Sequence, residues 1–232
     1  MTTQGNSRDL IAAGAVVGTV HSPESLRAAR KLPAGAVDWL ELRVDHFSAQ
    51  PDVLLASLPA LQARCIVTVR DPAEGGQNRL SRRRRAELYA AFLPHAAAID
   101  VELRNVRAMA PIVAAARERD VKVIVSAHDF AATPSAARLK EIVRCATAAG
   151  ADIIKIAARA DDVAALHRLL ALLAGKTPRP LSVMAMGRYG KVSRLLFAQA
   201  GSVLNYAYLG TANASGQWSV RDFRARLAEL AS

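Results

Sequence analysis

Lys155 is the residue with the clearest chemical potential, because it interrupts a largely apolar run at 151–158. An ammonium group on a buried strand is costly unless it is paired or neutralised. A neutral lysine amine attacks carbonyl carbons and forms Schiff bases. Lys155 therefore predicts imine chemistry, and a lysine that reaches solvent from a strand end is the alternative.

His128 is the second candidate, because an imidazole with an unperturbed pKa near 6.5 moves protons at neutral pH. A satisfied core histidine is the alternative for this residue. We expect the remaining histidines, which lack metal-ligand spacing, to be structural or exposed: His21, His46, His95 and His167. Cys65 and Cys145 are too few for a zinc cluster or a disulfide framework. We therefore expect neither a metal nor a cofactor.

Apolar runs and helical patterns alternate along the whole chain. The runs predict strands near 15–20, 37–43, 64–70, 97–103, 121–127, 151–157, 180–186 and 202–208. The patterns predict helices near 23–31, 51–62, 80–93, 105–119, 134–149, 161–175, 190–200 and 219–231. Eight βα units in 232 residues favour a single (β/α)8 TIM barrel over an open doubly wound sheet. We expect one domain over 1–232, with 1–12 as a flexible N-terminal extension.

Polar residues fall at the strand ends, where barrels of this type hold their active sites. Period-two alternation places these residues on one face of their strands, pointing into the barrel mouth: Glu41, Arg43, Asp45, Thr68, Arg70, Asp100, Glu102, Ser126, His128, Lys155, Met184, Met186 and Tyr206. Three acids, Asp45, Asp100 and Glu102, are expected to hold the mouth together through ion pairs.

The net charge of +11 is compatible with nucleic acid, an acidic membrane surface or an anionic small substrate. The arginine run at 82–85 follows Ser81 and enters a helical pattern, so we interpret it as the solvated first turn of a helix. A phosphate-binding patch is the alternative there. No aromatic residue interleaves with these arginines, which disfavours nucleic-acid binding.

The start of the chain lacks the apolar core of a signal peptide, and no apolar run approaches the ~20 residues of a spanning helix. Hydrophobic residues make up 52% and aromatic residues 5%, which is typical of a soluble α/β protein. We therefore expect a cytoplasmic protein that binds no membrane.

Seven motifs at strand ends and in later loops carry a family resemblance: 41–47, 68–70 with 74–76, 100–102, 126–130, 155–157, 193–194 and 216–217. With these motifs in this order, the chain resembles the type I 3-dehydroquinate dehydratases, the Schiff-base enzymes of the shikimate pathway. The resemblance covers nearly the whole chain. It implies a lyase that converts 3-dehydroquinate to 3-dehydroshikimate and water by syn elimination, in the third step of that pathway.

The resemblance also implies a role for each site residue. Lys155 would form the imine, His128 would act as general base and then general acid, and Glu74 would support His128. The implied substrate contacts and pocket walls are Glu41, Arg43 and Arg70 for hydroxyl groups, Arg194 and Gln217 for the carboxylate, and Met184, Met186, Phe130 and Tyr206 for the walls. A homodimer is the implied assembly.

The chain departs from the family pattern at four positions. Ala127 stands where asparagine, histidine or tyrosine is usual beside the catalytic histidine, and Tyr206 replaces a phenylalanine. Asn213 stands in place of a substrate-binding serine, and Ser215 replaces a proline of the final loop. These changes bear on substrate affinity and on the stiffness of the loop, whereas Lys155, His128 and Glu74 are retained.

Two other functions remain open at this stage. A second Schiff-base barrel, such as a class I aldolase, shares the lysine, although Glu74, His128 and Arg194 favour elimination. A basic barrel that only binds nucleic acid would need its arginines in one contiguous stripe. Whether the reaction serves biosynthesis or quinate breakdown is not decided by these residues.

Overall fold

The structure is a computed structural model that describes residues 13–212, 214 and 216–231. The expected extension at 1–12 and the predicted substrate contact of Asn213 therefore lie outside the described residues. Among the helices that are described, none is long and apolar enough to cross a membrane.

One parallel sheet of eight strands forms the centre of the described chain. The strands are β1 Ala15–Val20, β2 Trp39–Arg43, β3 Arg64–Thr68, β4 Ala98–Glu102, β5 Lys122–Asp129, β6 Ile153–Arg159, β7 Leu181–Met186 and β8 Leu204–Tyr208. Their order in the sheet is β7-β6-β5-β4-β3-β2-β1-β8. Between β7 and β8 the amide of Val203 donates to the carbonyl of Leu181 at 2.9 Å. The sheet is therefore a nearly closed barrel.

A helix follows each strand. The helices are α1 Pro23–Arg30, α2 Pro51–Leu55, α3 Arg82–Phe92, α4 Ala110–Arg117, α5 Ala136–Ala148, α6 Val163–Ala174, α7 Gly190–Gln199 and α8 Val220–Ala231. The prediction of a (β/α)8 barrel is confirmed. Helix α2 is shorter than the pattern at 51–62 predicted, and a 3-10 turn at Leu58–Ala60 follows it. Pro59 lies in that turn and has no amide hydrogen with which to continue an α-helix.

Side-chain alternation along the strands divides the apolar core into two layers. On β5, Val123 and Val125 pack outward with the helices, whereas Ile124 belongs to the cluster inside the barrel. On β6, Ile153 and Ala157 belong to the same inner cluster. On each strand, every second residue counted from an inner apolar residue therefore points into the barrel. The inner apolar residues form the floor of the barrel, and its mouth lies at the carboxyl ends of the strands.

Strands β5 and β6 each extend two residues beyond their predicted ends. The parallel register pairs Ser126 with Lys155 and His128 with Ala157. The inward alternation of β5 and β6 therefore continues to the rim of the barrel, and His128 lies within the ladder rather than in the loop after it.

Phe223 anchors α8 to the barrel and is fully buried, whereas Leu230 on the same helix is half exposed. We expect Phe223→Ala to lower the free energy of unfolding by about 3–5 kcal/mol, because it leaves a cavity in the core. The matched change Leu230→Ala should cost less than about 1 kcal/mol. Urea unfolding followed by circular dichroism measures both values. Equal losses for the two variants would contradict this account of α8.

Candidate active site at the barrel mouth

Lys155 ends inside the barrel, with only 4% of the residue exposed. Its Nζ lies 2.9 Å from Oδ2 of Asp100 and 3.2 Å from Oε1 of Glu41. It also lies 3.9 Å from the centre of the Tyr206 ring. The charged groups that touch Lys155 are thus carboxylates. The ring and the carboxylates together hold a buried ammonium group.

His128 and Glu74 form a second pair in the mouth. Nδ1 of His128 lies 2.9 Å from Oε2 of Glu74, and the backbone amide of His128 donates to the same oxygen at 3.1 Å. Burial, helped by the nearby charges of Arg70 and Lys155, lowers the pKa of His128 well below its usual value. Burial also raises the pKa of Glu74 to about 7. The imidazole is therefore neutral at pH 7, and Glu74 is the member of the pair that titrates there.

The loop after β3 places Glu74 opposite His128. Asp71 begins a 3-10 turn at Pro72–Glu74, and its side chain accepts the amide of Ala73. Gly75 ends the turn with φ of +83°, a conformation that glycine adopts without steric cost. A Cβ atom on Gly76 would lie 2.2 Å from the carbonyl oxygen of Arg70. The segment 71–76 therefore forms a turn that requires glycine at positions 75 and 76.

Arg70 connects the lysine site to a buried acidic cluster. One of its terminal nitrogens donates to Asp100 at 2.8 Å, and the other donates to Glu102 at 3.0 Å and to Ser126 at 2.8 Å. Although burial opposes ionisation, Arg70 and Lys155 hold the pKa of Asp100 well below its usual range. Asp100 therefore carries its charge at neutral pH and ties Arg70 to Lys155.

Arg85 belongs to the same cluster, so its interpretation as part of a solvated helix turn was wrong. It is 3% exposed and pairs with Glu102 at 2.6 Å and with Asp71 at 3.0 Å. Its Nε donates to the carbonyl of Val69 at 3.0 Å. The helical spacing in the sequence indicates that Arg85 is buried, because it shares one face of α3 with the buried residues Leu88, Tyr89 and Phe92.

Arg43 and Asp45 form a bidentate ion pair at the rim, with distances of 3.0 and 2.8 Å. Arg43 also donates to the carbonyl of Gly75 at 3.1 Å, so it ties β2 to the loop that carries Glu74. Together with the contacts of Asp100 and Glu102, this pair matches the expectation that the three acids hold the mouth through ion pairs.

Arg194 is the cation of the site that has no carboxylate partner in the part of the chain that the structure describes. It is 2% exposed, and its donors reach the carbonyls of Gly216 and Tyr206, both at 2.9 Å, and the sulfur of Met184 at 3.9 Å. Burial lowers its pKa to about 10. Among the described residues, no carboxylate lies within ion-pair distance of Arg194. A buried arginine in this state suits a ligand that carries a carboxylate.

The described residues of the predicted site line one cavity of about 100 Å³ at the barrel mouth. They are Glu41, Arg43, Arg70, Glu74, His128, Phe130, Lys155, Met184, Met186, Arg194, Tyr206 and Gln217. Phe130 is half exposed, and its ring lies nearly parallel to that of His128, with 6.3 Å between the ring centres. The Oε1 atom of Gln217 accepts the amide of Ala214 at 3.3 Å.

Thr19 also lines this cavity, although no motif in the sequence indicates a role for it. In the described structure, the hydroxyls of Thr19 and Tyr206 are buried without a hydrogen-bond partner. Such groups are costly unless a ligand or water satisfies them, so both are available to a bound molecule. Thr19 ends the inner face of β1, which is the signal that could have indicated it.

Among the residues that the structure describes, no group of three or more histidine, cysteine or acidic side chains is arranged to bind a metal ion. The eight strands, the cavity at their carboxyl ends and the buried ionisable groups define a (β/α)8-barrel enzyme.

The comparisons with known proteins identify the family. A family model described as type I 3-dehydroquinase matches residues 16–231. The 3-dehydroquinate dehydratase of Thermococcus gammatolerans is 34% identical over 216 residues, which are 93% of this chain and 98% of the relative. The crystal structure of 3-dehydroquinate dehydratase from Geobacillus kaustophilus superposes with a TM-score of 0.83, at 28% identity, and covers 94% of this chain and 91% of the other. The chain belongs to the type I 3-dehydroquinase family, and the resemblance seen in the sequence is confirmed.

The contacts of Arg85 predict a structural role. We expect Arg85→Met to lower the free energy of unfolding by roughly 3 kcal/mol, because Glu102 loses a partner inside the protein. The matched change Arg83→Met, at a side chain that is 91% exposed, should cost less than about 0.5 kcal/mol. Urea unfolding of the two variants tests this difference. A mild effect of Arg85→Met would show that the cluster does not depend on this arginine.

Proposed function

We propose that this protein converts 3-dehydroquinate into 3-dehydroshikimate and water through an imine on Lys155, as the third step of the shikimate pathway. The observation that carries the proposal is the geometry of one cavity. Lys155, the His128–Glu74 pair and the unpaired Arg194 all line it. Membership of the type I 3-dehydroquinase family supports this substrate and this reaction.

Elimination from a β-hydroxy ketone requires removal of a proton beside the carbonyl and loss of hydroxide. An iminium on Lys155 accepts the electrons released by the first of these steps. Glu41, which touches Nζ, is placed to pass protons from the ammonium to the ketone oxygen, which leaves as water when the C=N bond forms. The iminium restores a positive charge at the same position, so Glu41 and Asp100, which both touch Nζ, then stabilise it.

His128 is the proposed proton carrier. Because Nδ1 donates to the Glu74 carboxylate, Nε2 carries the lone pair and acts as the base. The imidazolium formed in this way returns the proton to the departing hydroxyl group, which leaves as water. Glu74 fixes the tautomer of the ring and stabilises its charged form, as the carboxylate does in hydrolase triads.

The remaining cavity residues would bind the substrate. Arg194, aided by Gln217, would hold the carboxylate, and a planar guanidinium binds such a group with two parallel hydrogen bonds. Glu41, Arg43 and Arg70 would contact the hydroxyl groups. The proposed walls of the site are Met184, Met186, Phe130 and Tyr206.

We also infer that the protein works as a cytoplasmic homodimer, on the basis of the family resemblance. Multi-angle light scattering of the purified chain measures its mass directly. The mass of one chain at micromolar concentration would rule out the dimer.

Borohydride reduction with 3-dehydroquinate tests the imine. Mass spectrometry should find a substrate adduct on Lys155, because reduction makes the imine bond permanent. Lys155→Met should form no adduct and lose turnover by at least about 10⁴-fold. His128→Ala should still form the adduct while turnover falls by at least about 10²-fold, because proton transfer comes after imine formation.

Exposed Lys191, which lies over the Trp218 ring, provides the matched control for that substitution. Lys191→Met should keep both the adduct and turnover. Near wild-type turnover by Lys155→Met, or an adduct on another lysine of the wild-type protein, would overturn the assignment.

The pH dependence of turnover tests Glu74. The pKa of Glu74 is raised to about 7 by burial, and only its ionised form carries the negative charge that stabilises the imidazolium of His128. Activity should therefore be lost as pH falls through about 7. Glu74→Gln cannot ionise, so kcat/KM should be lower by at least about tenfold and nearly flat between about pH 6 and 8. Ultraviolet absorbance of the conjugated product gives the rates, and an unchanged acid limb in Glu74→Gln would assign the titration to another group.

A further inference from the structure

A second cavity lies on the outer side of the His128–Glu74 pair and has a volume of about 480 Å³. Its walls come from the outward faces of β5 and β6 near their ends, from α5 and from the loop after β4. Glu74 and His128 line both this outer cavity and the mouth. A molecule bound in the outer cavity would therefore contact His128 and Glu74 from the side that faces away from the barrel mouth.

Small side chains open this space. Ser126 and His128 point into the barrel, so Ala127 between them points outward into the outer cavity. Ile156 lies opposite Ala127 on the outward face of β6, Ala158 follows two residues later on the same face, and Ile142 of α5 completes an apolar wall. Ala127 is one of the departures from the family pattern, in which asparagine, histidine or tyrosine is usual. In this chain the side chain at position 127, which points into the outer cavity, is therefore only a methyl group.

Arginines surround the entrance to the outer cavity. Arg104 and Arg138 line it and also line an adjoining groove of about 800 Å³ between α4 and α5. Within the described part of the chain, neither arginine forms an ion pair, whereas Arg144 in the same groove pairs with Glu141. The acid beside them, Asp129, accepts two backbone amides at 3.0 Å. Arg104 and Arg138 at the entrance of the outer cavity are therefore positive charges without ion-pair partners among the described residues, and they lie next to the apolar wall.

We propose that the outer cavity is a regulatory site for a small organic anion, whose apolar body packs on Ala127, Ala158 and Ile142 and whose carboxylate binds Arg104 and Arg138. The volume lies in the range of ligand pockets, about 300–1,000 Å³. A second copy of this chain does not suit the site, because a two-fold interface would place like-charged arginines opposite one another.

The position of the outer cavity also predicts what the ligand does. The bound carboxylate would add a negative charge to the cavity that Glu74 lines, and a like charge makes ionisation of the Glu74 carboxyl less favourable. Occupation of the cavity should therefore weaken the support for His128 and slow turnover at pH values below about 7. This effect depends on the proposed function, whereas binding of the anion does not.

Benzoate is the probe, because it combines a carboxylate with an apolar ring, and benzamide is its uncharged analogue. Titration followed by nuclear magnetic resonance should show benzoate binding at least tenfold more tightly than benzamide. The double variant Arg104→Gln/Arg138→Gln should weaken benzoate binding at least tenfold. Arg221→Gln, which removes one exposed arginine on α8, should leave it unchanged.

Ala127→Tyr fills the outer cavity with a residue that is usual in the family and should abolish benzoate binding while the enzyme stays active. In the wild-type protein, benzoate should shift the acid limb of kcat/KM upward by a few tenths of a pH unit, without competing with 3-dehydroquinate. Equal benzoate affinities in the double variant and in Arg221→Gln would overturn the proposed regulatory site. Competition with substrate would place the probe in the mouth and would overturn it as well. A binding result that holds while no imine is trapped on Lys155 would count against the proposed function alone.

Discussion

The balance of buried charge inside the barrel is the constraint on which the rest of the structure depends. Three cations, Lys155, Arg70 and Arg85, meet three carboxylates, Glu41, Asp100 and Glu102, at distances of 2.6 to 3.2 Å. Each ion alone would be costly to remove from water, so the cluster is stable only as a neutral whole. It joins strands β2, β3, β4 and β6 to helix α3, and the site therefore cannot shift without breaking ion pairs.

The same cluster prepares the site for chemistry. A charged lysine can remain inside the barrel because Asp100 and Glu41 compensate it, and the iminium of the proposed reaction would have the same two partners. Next to it, burial keeps His128 neutral and brings Glu74 close to its titration point at neutral pH. Arg194 stands apart from the cluster with carbonyl and sulfur contacts, which leaves its charge for a ligand.

Much of this arrangement is predictable from local patterns. The order of strands and helices follows from apolar periodicity, and the inward direction of Lys155 and His128 follows from alternation on β5 and β6. The exceptions have physical reasons. Pro59 ends α2 early, and the burial of Arg85 is hard to predict because a run of four arginines conceals which one faces the core. Its face on α3 becomes evident only from its spacing to Leu88, Tyr89 and Phe92.

The sequence by itself determined the barrel, the family motifs and the residue types available for imine formation and proton transfer, because these depend on short-range periodicity and on side-chain chemistry. Only the tertiary structure decided the partners: two carboxylates on Lys155, two buried arginines on Glu102, and an open cavity behind His128 where Ala127 leaves room. Distances between residues far apart in the chain decide such partnerships, as with Glu41 and Lys155, which are 114 positions apart. Closure of the barrel sets those distances, and no local pattern contains them.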